Sequence, residues 1–311
     1  MADAPVPGGG FSHVALFYSS TQEYLAAVLA HLQAALERAE PTFVAVPGPK
    51  SQMLREGLNG AAEKAVFADM TVLGRNPARI IPRLRTFIDD HPGQRISHVG
   101  EQIWPARTPA EIIEATRHEA LVNLAFSGTA STILCPYDIA ALPPSVVASA
   151  RRTHPAVLQQ GQRLASPEYL EAPRSPPEWD LPLPPPPANA ESLTYTTDLR
   201  AARRLISAHA ERAGATEDVI ADLVLAVGEV AANTLRHTGD SGTLHVWHTP
   251  DEILCQVDDM GRITDPLAGR LRPPPDAPRG HGLWLVNQIC DLVELRSGWT
   301  GTSIRMHMRL A

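Results

Sequence analysis

The chain has 311 residues, 44% of them hydrophobic and 20% charged, with a formal net charge of −7. That length allows two domains, since single cores stop growing near ~250–300 residues. An acidic chain lacks the basic stripe that grips a phosphate backbone, so no direct nucleic-acid contact is expected.

In chain order, residues 13–18 (HVALFY) predict a strand. Residues 21–39 predict a helix, with Leu25, Val28, Leu29, Leu32 and Leu36 on one side. Strands at 42–47, 65–69, 96–100 and 131–138 then alternate with helices at 51–60, 77–90 and 109–125. Such alternation predicts a three-layer α/β domain with a mostly parallel sheet. The composition then breaks: eight of the fifteen residues from 173 to 187 are proline, ending in LPLPPPP. Proline lacks a donor N–H and fixes φ, so this segment reads as a semi-rigid extended spacer.

Beyond it, a strand at 192–195 precedes helices at 198–213 and 217–237 and strands at 242–249 and 252–259. A Pro/Gly-rich stretch follows, then a helix at 282–289 and strands at 292–297 and 302–309. This order describes an α+β two-layer sandwich. The three cysteines, Cys135, Cys255 and Cys290, are too scattered for a disulfide framework or a CxxC site. The N-terminal MADAPVPGGG has neither a basic segment nor an apolar signal core, and no apolar run nears the ~20 residues of a membrane span. The sequence therefore predicts a cytoplasmic protein without membrane contact.

The chemistry-bearing motifs concentrate in the second half. In VGEVAANTLRH (residues 227–237), Glu229 and Asn233 are four apart and share one helical face. An amide oxygen is a hard ligand suited to Mg²⁺, and a neighbouring carboxylate can polarise a hydroxyl for attack on a phosphoryl group. Two polar residues satisfied by local hydrogen bonds would show the same spacing. VDDMGRI (residues 257–263) ends a strand in Asp-x-Gly: Asp259 can accept from an exocyclic amine, and Gly261 lets backbone approach a ring. An ordinary turn is the alternative. PRGHGLWLVNQ (residues 278–288) sets Gly280 and Gly282 at the start of a helix, where free N–H groups favour phosphate. The intervening residues 264–278 are about the length of a lid.

In this order, Glu-x-x-x-Asn, Asp-x-Gly and Gly-x-Gly over residues 191–311 resemble the Bergerat ATP-binding fold shared by DNA gyrase, the large heat-shock chaperones and histidine kinases. More narrowly, they resemble the anti-sigma-factor serine/threonine kinases of the RsbW type. The resemblance implies ATP and Mg²⁺ as cofactors, with Asn233 coordinating Mg²⁺, Glu229 as general base and Asp259 reading adenine. It places Gly261, Gly280, His281, Gly282 and Leu283 along the nucleotide, with Thr302 fixing Asp259 or a water. His237 matches the family's helix end, although a histidine at a helix C-terminus is equally a dipole effect. Where the family has a second lid glycine, this chain has Ile263. A sigma factor and an anti-anti-sigma factor of the STAS type, the latter as phosphoacceptor, are the implied partners, and a homodimer the implied assembly. A nucleotide-gated binder without transfer and a histidine-kinase module acting in trans are the alternatives.

Residues 11–170 resemble the MEDS sensory domain through SHVALFY, DMTVLGRNPARIIPRLRTFI, GEQIWP and LCPYD. This implies signal input. His13, Glu101, Trp104, Cys135, Tyr137 and Asp138 fall in those segments, largely at expected strand ends, where open α/β sheets bind ligands. Structural roles, with Trp104 and Cys135 in the core and Asp138 as a cap, are the alternative. VPGPKS (residues 46–51) lacks the P-loop frame. The expected organisation is a sensory domain at 11–170, a linker at 171–190 and an ATP-binding kinase domain at 191–311.

Overall fold

The computed structural model describes residues 10–171, 179–238, 241–274, 276–277 and 280–310. The chain separates into two compact units, Met1–Ser175 and Pro176–Ala311.

The first unit runs β1 (Ser12–Tyr18), α1 (Thr21–Glu37), β2 (Thr42–Val46), α2 (Gly48–Leu58), β3 (Ala65–Asp69), α3 (Met70–Leu73) and α4 (Ile80–Asp89). It continues with β4 (Ile96–Gly100), α5 (Pro109–Phe126), β5 (Ser131–Asp138), α6 (Pro144–Thr153), β6 (Ala156–Gln159) and β7 (Gln162–Ala165). The strands form one sheet of order β3-β2-β4-β5-β1-β6-β7. All neighbours are parallel except β6 and β7. Every residue of β2 and β4 is buried, as in strands covered on both faces.

Local chemistry sets the helix starts. Ser20 Oγ accepts from Glu23 N, and the Glu23 carboxylate accepts from Ser19 N. Thr108 and Glu111 form a reciprocal capping box at α5. α2 begins at Gly48, earlier than its pattern predicts, because Pro49 sits in the first turn, where its missing N–H costs nothing. The sequence pattern closes the series at β5 and omits α6, β6 and β7. The β6–β7 turn is made by Gln160 (φ 50°) and Gly161 (φ 73°), the two left-handed residues a type I′ hairpin needs. Gln-Gly is a weaker turn signal than Asn-Gly.

The second unit comprises β8 (Glu191–Tyr195), α7 (Arg200–Arg212), α8 (Glu217–Thr238), β9 (Gly242–His248), β10 (Glu252–Asp259), α9 (His281–Ile289), β11 (Leu292–Gly298) and β12 (Gly301–Arg309). Its five strands form an antiparallel sheet, β11-β12-β10-β9-β8. Leu223, Val227, Val230 and Ala231 of α8 bury against Leu244, Val257, Ile304 and Met306. Strand alternation sends Gln256, Asp258, Glu294, Arg296, Arg305 and His307 to the opposite face.

The proline-rich segment is bonded to that polar face. Arg296 Nε donates to the Leu181 carbonyl at 3.1 Å, and the Arg305 guanidinium donates to the Pro184 carbonyl. Residues 172–178 lie outside the described residues. The described part of the segment is thus a strap on the sheet and not a free spacer. Among the described residues, no helix is long and apolar enough to cross a membrane.

On the same face His307 sits between two carboxylates, with Nδ1 3.1 Å from Glu252 and Nε2 3.0 Å from Glu294. Burial disfavours its charge, but the two carboxylates outweigh burial and raise its pKa from 6.5 to about 9. A raised folded-state pKa stabilises fully below pH 6.5, and that contribution is lost as pH rises through about 9. Denaturant titrations of this chain between pH 6 and 10 are expected to show the loss, and His307→Gln to flatten it.

Candidate functional site

α8 reaches the cavity with its apolar stripe already spent on the sheet, so its neighbouring polar stripe lines an opening. Glu229, Asn233, Thr234 and His237 from α8 line a cavity of about 770 Å³, with Asp259 at the end of β10, Gly261 just after it, and Gly280, His281, Gly282 and Leu283 at α9. That volume lies in the range of small-molecule sites, ~300–1,000 Å³. Thr302 on β12 completes the wall.

Each wall has a defined chemistry. A Cβ on Gly282 would lie 2.8 Å from Glu229 Oε2 and 3.1 Å from Asn233 Nδ2, so the start of α9 comes close to the polar ends of both side chains. Gly280, at φ 97°, is the N-cap of α9 and offers no side chain to its first N–H groups. They are left for an anion, with the helix dipole behind them. Asn233 Oδ1 accepts from Arg236 Nη1 at 3.0 Å.

Asp259 is held from two sides. Thr234 Oγ1 donates to its Oδ2 at 2.6 Å and Gly261 N donates to its Oδ1 at 2.7 Å. Tyr195 donates its hydroxyl to Thr234 Oγ1 at 3.1 Å, which leaves the threonine proton for Asp259. The carboxylate is thereby fixed as an acceptor facing the cavity. Thr302, expected to fix Asp259 or a water, is the cross-strand partner of Asp259, and its hydroxyl donates to the Gly261 carbonyl at 2.8 Å and bonds Ser297. Thr234 escaped the sequence reading, because a threonine inside a helix usually marks only a bond to its own backbone.

The Pro/Gly-rich stretch is partly folded. Residues 266–270 form turns, and Asn287 Nδ2 of α9 donates to the Gly269 carbonyl at 3.0 Å. Ile263, at the position of the family's second glycine, packs on the hydrophobic core, and its N–H donates to Ser297 Oγ.

In the first unit the six sensory candidates divide into separate environments. Glu101 joins Lys50 at 2.5 Å, and Lys50 also bonds the Tyr18 hydroxyl, at the carboxyl ends of the strands. Burial raises the Glu101 pKa against the pull of Lys50. Asp138 accepts from Ala140 N and Ala141 N, a cap for the turn after β5. Trp104 stacks under Arg107, 4.0 Å from ring centroid to guanidinium carbon.

His13, Cys135 and Tyr137 share one sheet face, alternating along adjacent strands where His13 pairs Ile133 and Ala15 pairs Cys135. His13 and Cys135 lie within the strands and not at their ends, and both are buried. Above them α5 contributes Glu119 and Asn123, and His154 follows α6. Tyr137 is buried with them, and burial together with the Glu119 charge raises its pKa. Glu119, Asn123 and His154 were absent from the sequence reading. Their signal is Glu119-x-x-x-Asn123, the same spacing as Glu229 and Asn233.

Residues 193–308 match the histidine kinase-like ATPase domain family. Residues 12–155 match the family described as the methanogen/methylotroph, DcmR sensory domain, MEDS. The second unit is therefore a histidine kinase-like ATPase domain. The chain joins it to a MEDS domain at the N-terminal side. Among solved structures, the RsbU and RsbW domains of Rv1364c from Mycobacterium tuberculosis are 20% identical, with a TM-score of 0.28. That match covers 39% of this chain and 32% of the other, so the chain spans about a third of that structure's length. No curated protein matches the sequence.

The donor set fits the ligand this family implies. Asp259 offers an acceptor for an amine, the uncapped start of α9 offers N–H groups to an anion, and the side-chain oxygens of Asn233 and Glu229 are of the hard type that a divalent cation such as Mg²⁺ would take. Thr234→Val removes the donor that orients Asp259. It is expected to weaken ATP binding about ten- to a hundredfold by calorimetry, the effect of losing a hydrogen bond to a charged group.

Proposed function

We propose that the second unit is an ATP-dependent serine/threonine protein kinase acting as an anti-sigma regulatory factor. In this reading it phosphorylates an anti-anti-sigma partner and otherwise sequesters a sigma factor, under the control of the MEDS domain. The observation that carries the proposal is the convergence of Glu229 and Asn233 on Gly282 at the uncapped start of α9. A phosphate at that helix terminus lies beside both side chains.

ATP, when bound, supplies the phosphoryl group. Asn233 would turn its amide oxygen from Arg236 to the cation, and the Glu229 carboxylate would take the proton from the attacking hydroxyl oxygen. Asp259, oriented by Thr234 and Gly261, would hold the amine of the base while the start of α9 would take the phosphates. The modified partner gains about −1.5 to −2 charge on its contact surface, enough to expel it by repulsion from an acidic neighbour.

A separate acceptor protein is favoured by the state of His209, the histidine of α7. It is buried, with Nδ1 2.7 Å from Glu191 and Nε2 3.0 Å from His248, so neither nitrogen is presented for phosphorylation. In this reading the product is a phosphoserine or phosphothreonine and stable in acid, whereas phosphohistidine is not.

Transfer from labelled ATP to purified STAS-type partners tests the reading. Glu229→Gln is expected to lower transfer about 10²–10⁴-fold, the usual contribution of a positioned base, with ATP affinity changed only a few-fold. Asn233→Ala is expected to lose Mg-dependent ATP binding. Regulation of the partner that survives Glu229→Gln unchanged would instead identify a nucleotide-gated binder, and an acid-labile product a histidine kinase.

A further inference from the structure

The first unit contains a second polar cluster that the nucleotide chemistry does not use. His13 of β1, Cys135 of β5, Glu119 of α5 and His154 after α6 are each at most 2% exposed. His13 Nε2 lies 3.1 Å from Glu119 Oε2 and 3.4 Å from Cys135 Sγ. Cys135 Sγ is 3.5 Å and His154 Nε2 3.4 Å from the same Glu119 oxygen. All four donor atoms lie within 4.8 Å of one another.

These are the separations of ligands around one ion. In a tetrahedron the edge is about 1.6 times the bond length, so zinc bonds of ~2.0–2.3 Å give edges of ~3.3–3.8 Å. Four of the six separations, 3.1–3.5 Å, fall in or close beside that interval, and the other two are within 4.8 Å.

The outer hydrogen bonds decide where the imidazole lone pairs point. Asn123 donates from Nδ2 to the Thr153 carbonyl at 2.7 Å, which turns its Oδ1 towards His13 Nδ1 at 3.1 Å. His13 Nδ1 is therefore the protonated nitrogen. His154 Nδ1 lies 2.8 Å from the Ala150 carbonyl, which only accepts, and 2.9 Å from Thr153 Oγ1, whose own proton has the Ser149 carbonyl at 3.1 Å as acceptor; that pairing satisfies all three groups with the proton on Nδ1. Both Nε2 atoms thus aim lone pairs at a carboxylate oxygen that has only lone pairs of its own. Only the Cys135 thiol has a hydrogen to share among these contacts. Gln102, with its amide nitrogen facing the cluster, donates to Glu119 Oε1 at 2.8 Å and aligns the remaining carboxylate oxygen inward.

Electron pairs converging in a dry pocket repel unless a cation lies between them. A thiolate, a carboxylate and two neutral imidazoles carry −2 together, which one divalent cation cancels. The outer partners Asn123, the Ala150 carbonyl and Gln102 are the second-layer acceptors and donors that orient metal ligands. We propose that His13, Glu119, Cys135 and His154 form a closed, four-ligand site for a zinc-class divalent ion, clamped between the sheet and α5. The donor set of two nitrogens, one sulfur and one oxygen suits zinc and disfavours magnesium or calcium. With four protein ligands the ion has no open position and cross-links β1, β5, α5 and the end of α6.

The test uses the full-length, untagged chain, stripped with a chelator and titrated with cobalt(II) as the probe. The expected result is one cobalt per chain, with intense visible bands of tetrahedral cobalt and a thiolate-to-cobalt charge-transfer band. One equivalent of zinc should bleach both. Cys135→Ser should remove the charge-transfer band, and Cys255→Ser should leave it unchanged. Asn123→Ala, which touches no donor atom of the site directly but His13, should weaken cobalt binding about 10–100-fold in a chain that still folds. Zinc should also raise the unfolding temperature of the wild type. Absence of stoichiometric binding, a pale six-coordinate spectrum, or a charge-transfer band that survives Cys135→Ser would each overturn the proposal.

Discussion

The cavity of the second unit depends on one chain of hydrogen bonds. Tyr195 on β8 donates to Thr234 on α8, and Thr234 donates to Asp259 at the end of β10. Asp259 in turn accepts from Gly261, whose carbonyl accepts from Thr302 on β12. Three strands and the long helix are thereby pinned at one corner of the sandwich. Hydrophobic packing alone would let α8 slide on the sheet, because its Ala and Val side chains are small and alike. The polar chain removes that freedom and sets the height at which Glu229 and Asn233 meet α9. Thr234 accepts from Tyr195 and donates onward, and the Asp259 carboxylate only accepts, so the bonds converge on Asp259.

Glu-x-x-x-Asn occurs twice in this protein and serves two opposite environments. On α8 the pair faces an open cavity, where water or a ligand can satisfy it. On α5 Glu119 and Asn123 turn into the sheet and are buried, and their partners must come from the protein itself. The helical spacing puts carboxylate and amide on one face in both cases. Whether that face meets solvent is decided by what packs on it, and packing is a long-range property.

This explains which parts were legible in advance. The strands β1 to β5 and β8 to β12 follow from apolar runs between turn residues, and their bounds shift by only a residue or so. Glu229, Asn233, Asp259, Gly280 and Gly282 were legible because each stands at the end or on the exposed face of its own element. Thr234 was not, since its importance lies in Asp259, twenty-five positions away in the chain. Nor was the meeting of His13 with His154 and Glu119, which needs the order β5-β1-β6 to bring distant segments together. The assignment of Glu101 and Asp138 to strand ends was right in place, but each already has a partner there.

The strap over the polar face of the second sheet has a consequence for how the sequence can vary. Its bonds run from Arg296 and Arg305 to the carbonyl oxygens of Leu181 and Pro184. A carbonyl is the one hydrogen-bonding group that every residue type, proline included, retains. Between positions 181 and 187 the attachment therefore reads backbone shape and is blind to side-chain identity. Substitutions there can accumulate so long as the chain stays extended, whereas a change at either arginine removes a bond that no side chain of the segment can replace.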